Sequence, residues 1–70
     1  MSWDFTGKRV HGVYLDTHPF EGTVVESRVK FGGRVQHTVE LDATLNIFGL
    51  NRDRILVDTD ELPAEYRAGA

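Results

Sequence analysis

Three histidines, His11, His18 and His37, and eleven acidic side chains are the groups with which this chain could do acid–base or metal chemistry. A hydroxyl nucleophile needs a base within hydrogen-bond reach, and that base needs a third group to orient it. Asp16 and His18 stand two apart in a proline-containing stretch, and Ser27 shares a predicted strand face with His37 only at a diagonal. Neither spacing builds such a relay, so the reading is that the chain is not an enzyme. Zinc asks for closely spaced histidines or thiolates. Here the histidines are dispersed and cysteine is absent, so no metal and no cofactor is expected. Asp58-Thr59-Asp60-Glu61 lacks the glycine and ligand spacing of a calcium loop. It reads as a cap, with Asp58 or Thr59 accepting from free backbone N–H groups. Gly32-Gly33 falls between two strands rather than before a helix, so it is turn chemistry and not a phosphate cradle.

Charge placement carries more information. Residues 1–37 hold five bases and four acids, +1, and residues 38–70 hold three bases and seven acids, −4, which sum to the net charge of −3. No acid lies between Glu26 and Glu40, where Arg28, Lys30, Arg34, Gln36 and Thr38 cluster. On a hairpin face these would form a basic patch able to contact phosphates, which makes nucleic-acid binding through Arg28, Lys30, Arg34 and Gln36 the alternative function. Three cations are few, and no aromatic side chain shares their predicted face, so such binding would be weak and salt-sensitive. A solvated hairpin protected against edge pairing is the plainer reading. Arg52, Asp53 and Arg54 form a second polar cluster, read as a turn with local ion pairs. Among the aromatics, Trp3, Tyr14 and Phe20 are the candidate anchors for a protein partner, since Trp and Tyr dominate binding hot spots. The competing role for Trp3 and Phe5 is to close one end of a small core.

The elements that must position these groups are strands. β-branched residues and period-2 alternation are frequent, and glycine recurs at Gly7, Gly12, Gly22, Gly32-Gly33 and Gly49. The pattern predicts strands at 9–15, 22–31, 34–41, 44–48 and 54–57, with a loop over 16–20. A short helical turn follows at 58–62, then a weakly helical or frayed tail over 63–70. A two-residue Gly-Gly loop would set apolar residues beside polar ones on both faces of the central hairpin. An odd-length loop of three or five residues instead gathers Phe31, Val35, Val29, His37, Val39, Val25 and Leu41 on one face. It sends Arg28, Lys30, Gln36, Thr38, Glu26 and Glu40 to the other. His37 then sits on the apolar face, where a buried, hydrogen-bonded histidine is the common outcome. The same parity continues through Ala43, Leu45 and Ile47, so a bend is expected around Asp42-Ala43-Thr44.

The run Gly7-Lys8-Arg9-Val10, Gly12, Phe20-Glu21-Gly22-Thr23-Val24 and the closing Val57-Asp58-Thr59-Asp60-Glu61-Leu62 resembles a Src-homology-3-like barrel over about residues 7–62. The expected fold is therefore all-β: a five-stranded, strongly bent antiparallel Src-homology-3-like barrel. It would form a single domain over residues 1–62 with a C-terminal tail over 63–70. At 70 residues the core is thin, and with zero Cys it depends on apolar packing or oligomerisation. No apolar run approaches the length of a membrane span, and Met1-Ser2-Trp3-Asp4-Phe5 lacks the features of a signal peptide. A soluble, cytoplasmic location with no membrane partner is the expectation. The leading function is a small non-catalytic binding module with an unidentified protein partner, of the accessory type carried by phages and mobile elements. Beside it stands the nucleic-acid-binding barrel on the basic hairpin. A third reading is a homo-oligomer with a ligand site at the subunit interface, the acidic half of one copy meeting the basic hairpin of the next.

Overall fold

A computed structural model describes residues 3–68 of the chain, with backbone alone at residues 67 and 68, so residues 69 and 70 of the predicted tail lie outside it. The strands are β1 (Arg9–Tyr14), β2 (His18–Val29), β3 (Val35–Ile47) and β4 (Leu50–Asp58). A 3₁₀ turn, Thr59–Glu61, and a short helix α1, Ala64–Ala68, follow β4. The strands form one antiparallel sheet in the order β1-β2-β3-β4. It is an all-β fold, but the sheet has four strands and does not close, which corrects the five-stranded barrel expected from the sequence. The two strands predicted at 34–41 and 44–48 are one element, because the bend between them interrupts the ladder without ending the strand. The β3–β4 pairing runs regularly to Glu40↔Arg54, breaks, and resumes at Leu45↔Arg52, which places the irregularity at the expected Asp42-Ala43-Thr44. No helix among the described residues is long and apolar enough to cross a membrane.

The central hairpin has the odd-length loop that parity demanded. Val29 pairs with Val35 across a five-residue connection, closed by Lys30 N–H donating to the Arg34 carbonyl at 2.6 Å. Ser27 pairs with His37 and Glu26 with Thr38, and then a β-bulge at Val25 shifts the register so that Val24 faces Val39. That extra residue reverses the inward parity of β2. Val24 enters the core and Val25 is left exposed, opposite to expectation. Val29 and Phe31, also expected inside, are exposed because the hairpin tip runs past the end of the core. On β3 the predicted inward set holds where the core reaches it: His37, Val39, Leu41 and Ile47 are buried.

The core joins Phe5, Val10, Phe20, Val24, Val39, Leu41, Ile47, Ile55, Val57 and Leu62, with Tyr14, Leu45 and Tyr66 packed against it. At Gly22, where the second strand was predicted to begin, β3 approaches β2 closely. A Cβ there would lie 2.2 Å from the Glu40 carbonyl oxygen, so only glycine fits. The outer edge of β1 is covered from the C-terminal side. His11 N–H donates to the Tyr66 hydroxyl at 3.0 Å, and Glu65 lies 3.5 Å from the His11 ring. Among the described residues no strand lies beside the outer edge of β4.

Candidate interaction surface

Two kinds of site were expected from the sequence, a basic hairpin face and a set of aromatic anchors. The hairpin cations do share one region, but each faces a carboxylate. Arg28 lies 3.6 Å from Glu26, while Lys30 and Arg34 converge on Asp58 at 3.2 and 3.5 Å. Asp58 reaches them because β4 lies beside β3, with Gln36 opposite Asp58. Its side chain is only 14% accessible, so the local positive charge is met from within the fold. Further along the same face Arg54 pairs with Glu40 at 3.3 Å, not with Asp53 as expected. Arg9 binds Asp42 through both guanidinium nitrogens, which holds the Asp42 carboxyl below the usual carboxylate range and raises the arginine. Gln36, Thr38, Glu26, Arg28 and Leu56 line a shallow groove of about 150 Å³ on this face. The outer face is thus a mosaic of opposite charges with Leu56, 52% exposed, in its midst.

The polar groups nearest to a catalytic arrangement lie on the other face. Ser27 sits directly opposite His37 rather than on a diagonal, because the five-residue loop moves the register by one pair. Its hydroxyl is 2.7 Å from His37 Nδ1, and His37 Nε2 is 2.7 Å from the Thr59 hydroxyl. Phe5 N–H donates to Ser27 Oγ at 2.9 Å, and the Phe5 ring stacks on the imidazole at 4.5 Å. The imidazole is completely buried, and burial lowers its pKa against the weaker pull of Asp4 and Asp58. The chain Phe5–Ser27–His37–Thr59 therefore ties the N-terminal segment, the hairpin and the 3₁₀ turn to one buried ring. Thr59 stands where a catalytic relay would place a carboxylate, and the Phe5 ring covers the imidazole. Among the described residues no three His, Asp or Glu side chains gather into a group that could hold a metal.

Of the aromatic anchors, Trp3 is 45% exposed, Tyr14 is half-buried against the core, and Phe20 is buried within it. Phe20 is a core residue because β2 begins at His18, four residues before the predicted strand, and Phe20 pairs with Gly12. Besides Trp3, large apolar residues stand in solvent on the hairpin turns, and sequence reasoning passed over them as anchors. Phe48 is 91% exposed and Leu15 46%, flanked by Leu50 and Val13 at 60% and 50%. Phe31, at the opposite hairpin, is fully exposed. Phe48 and Leu15 have a second peculiarity: both hold positive φ, 52° and 53°. Each is the first residue of a turn whose next residue also has positive φ, Gly49 at 79° and Asp16 at 63°. Tight hairpins need this mirror-image geometry, and Asn, Asp or Gly normally supplies the first position. A bulky side chain in the left-handed region costs roughly 1–2 kcal/mol. In an up-and-down sheet the β1–β2 and β3–β4 turns lie toward the same end, and the β2–β3 ladder stops at Gly22↔Leu41, before either tip. Phe48-Gly49 between two apolar-alternating runs was the signal available in the sequence, since X-Gly in that setting marks a two-residue hairpin. Comparison with family models, with characterised proteins and with solved structures finds no match to this chain.

Proposed function

We propose that the protein is a non-catalytic protein-binding module whose binding end is formed by the β1–β2 and β3–β4 hairpin tips. Val13 and Leu15 present one tip, Phe48 and Leu50 the other. One observation carries the reading: Phe48 stands in solvent in a backbone conformation that disfavours it. A side chain that burdens the fold and packs against little of it is best accounted for by a role outside the fold. Leu15 repeats the pattern on the neighbouring turn, which makes coincidence a poorer account. The partner is a protein surface with apolar pockets, because both tips offer hydrocarbon and no cation. The nucleic-acid alternative is the weaker reading, since Arg28 faces Glu26 and Lys30 and Arg34 share Asp58.

The test is a double substitution, Leu15→Asn with Phe48→Asn, in tagged protein expressed in cells of its own source. Both changes suit positive φ, so the variant is expected to remain folded by circular dichroism. The partner that co-purifies with the wild type is expected to be lost. Equal recovery of the same partner by the folded double variant would overturn the reading.

A further inference from the structure

Every strand edge must be paired, covered or defended, or it recruits another strand. The β1 edge is covered by Tyr66 and Glu65, but among the described residues no strand pairs with the outer edge of β4. The direction of its free groups follows from one bond. Asp58 N–H donates to Glu61 Oε1 at 2.8 Å, so it points away from β3. The ladder is regular from Gln36↔Asp58 to Glu40↔Arg54, and hydrogen-bonding direction alternates along an antiparallel strand. Leu56 and Arg54 therefore also turn their N–H and C=O outward, and among the described residues no protein group meets them.

We infer that this edge binds a second copy of the chain, joining two β4 strands antiparallel about a two-fold axis at Leu56 into one eight-stranded sheet. Charge selects that register. Centred on Leu56, each Arg54 stands opposite the partner copy's Asp58, twice by symmetry, while the two Leu56 side chains meet on the outer face. Ile55 and Val57 stand opposite each other on the inner face. Centring on Arg54 would set two guanidinium groups face to face, and centring on Ile55 would set Leu56 against Arg54. Directly opposed like charges destabilise a pair of strands and opposite charges stabilise it. The chosen register also extends existing ion pairs, because Arg54 already holds Glu40 and Asp58 already holds Lys30 and Arg34. It gives a role to Leu56, a large apolar side chain exposed amid charges. Leu56 N–H and C=O bond reciprocally to the partner copy's Leu56, and Arg54 N–H donates to the partner copy's Asp58 carbonyl. The Asp58 N–H keeps its own bond to Glu61, so the paired stretch ends there. This inference stands apart from the hairpin-tip reading and uses none of its residues.

Sedimentation equilibrium from micromolar to millimolar protein tests it, with two charge variants. Wild type is expected to approach twice the 7.9 kDa monomer mass. Arg54→Asp alone sets Asp against Asp58, and Asp58→Lys alone sets Lys against Arg54, so each is expected to sediment as a monomer. Mixed in equal amounts, the two restore opposite charges at both contacts and are expected to recover the dimer. A wild type that stays monomeric throughout, or a mixture of folded variants that does not associate, would overturn the inference. Hydrogen exchange on wild type needs no variant. Leu56 and Arg54 amides are expected to slow as concentration rises, and concentration-independent exchange at both would equally overturn it.

Discussion

Replacing Phe48 by Asn should make the protein more stable, although it removes a large apolar side chain. The residue is 91% exposed, so roughly a tenth of a phenylalanine's 150–250 Å² is at stake, about 0.5 kcal/mol at ~25 cal/mol per Å². Against this stands the cost of holding a bulky L-residue at φ 52°, roughly 1–2 kcal/mol, most of which Asn escapes. The balance favours the variant by about 1 kcal/mol, which for a domain of this size corresponds to a rise of about 4–8 °C in Tm. Thermal unfolding followed by far-ultraviolet circular dichroism, with equal protein concentrations, reads the difference. A variant that melts at or below the wild-type temperature would show that Phe48 supports the fold, and the argument that it serves a partner would fail. Leu15→Asn is a weaker version of the same experiment, because Leu15 is more covered and gives up more packing.

Three other outcomes are expected. His37 is buried with a lowered pKa, so on acidification the unfolded chain takes up its proton first. Stability is therefore complete above about pH 6.5 and falls below it by up to about 1.4 kcal/mol per unit, until the folded pKa is reached. Urea unfolding at a series of pH values should show this slope in wild type and lose it in His37→Gln; an unchanged slope in the variant would assign it elsewhere. Gly22→Ala forces a methyl group against the Glu40 carbonyl and should cost several kcal/mol, about what so small a domain has to spare. A Tm within a few degrees of wild type would contradict the close approach of β2 and β3. Amide spectra titrated with short DNA and RNA at low salt should leave residues 28–38 unmoved, since Glu26 and Asp58 already meet the hairpin cations; salt-sensitive shifts there would restore the nucleic-acid reading.

What the sequence made legible follows from how locally each feature is determined. The inward set His37, Val39, Leu41 and Ile47 on β3 needed only alternation along one strand, and the odd loop followed from matching two faces. The 3₁₀ turn was visible in Asp58 to Glu61, and it opens on a capping box between those two residues, with Asp58 N–H donating to Glu61 Oε1 at 2.8 Å. The bulge at Val25 was not legible, because Val24-Val25 offers two equivalent apolar residues and only the partner strand chooses between them. Sheet closure was equally hidden. It depends on how far strands curl beyond the bend at Asp42-Ala43-Thr44, and no residue type records that. The basic patch looked like a site because Asp58 is remote in sequence from Lys30 and Arg34 and arrives only through β3–β4 pairing. Phe48 and Leu15 were missed for a related reason. Their exposure and positive φ are properties of the turns, and as letters in a sequence they look like ordinary core residues.

The central claim, that the paired hairpin tips are the binding end, is tested most directly by placing a photoreactive phenylalanine analogue singly at 15, 48 and, as a control on the outer charged face, 42. Irradiation in cells of the protein's own source should give the same protein adduct from 15 and from 48, and none from 42. Adducts from 42 alone, or from none of the three positions while the chain is folded and expressed, would contradict it.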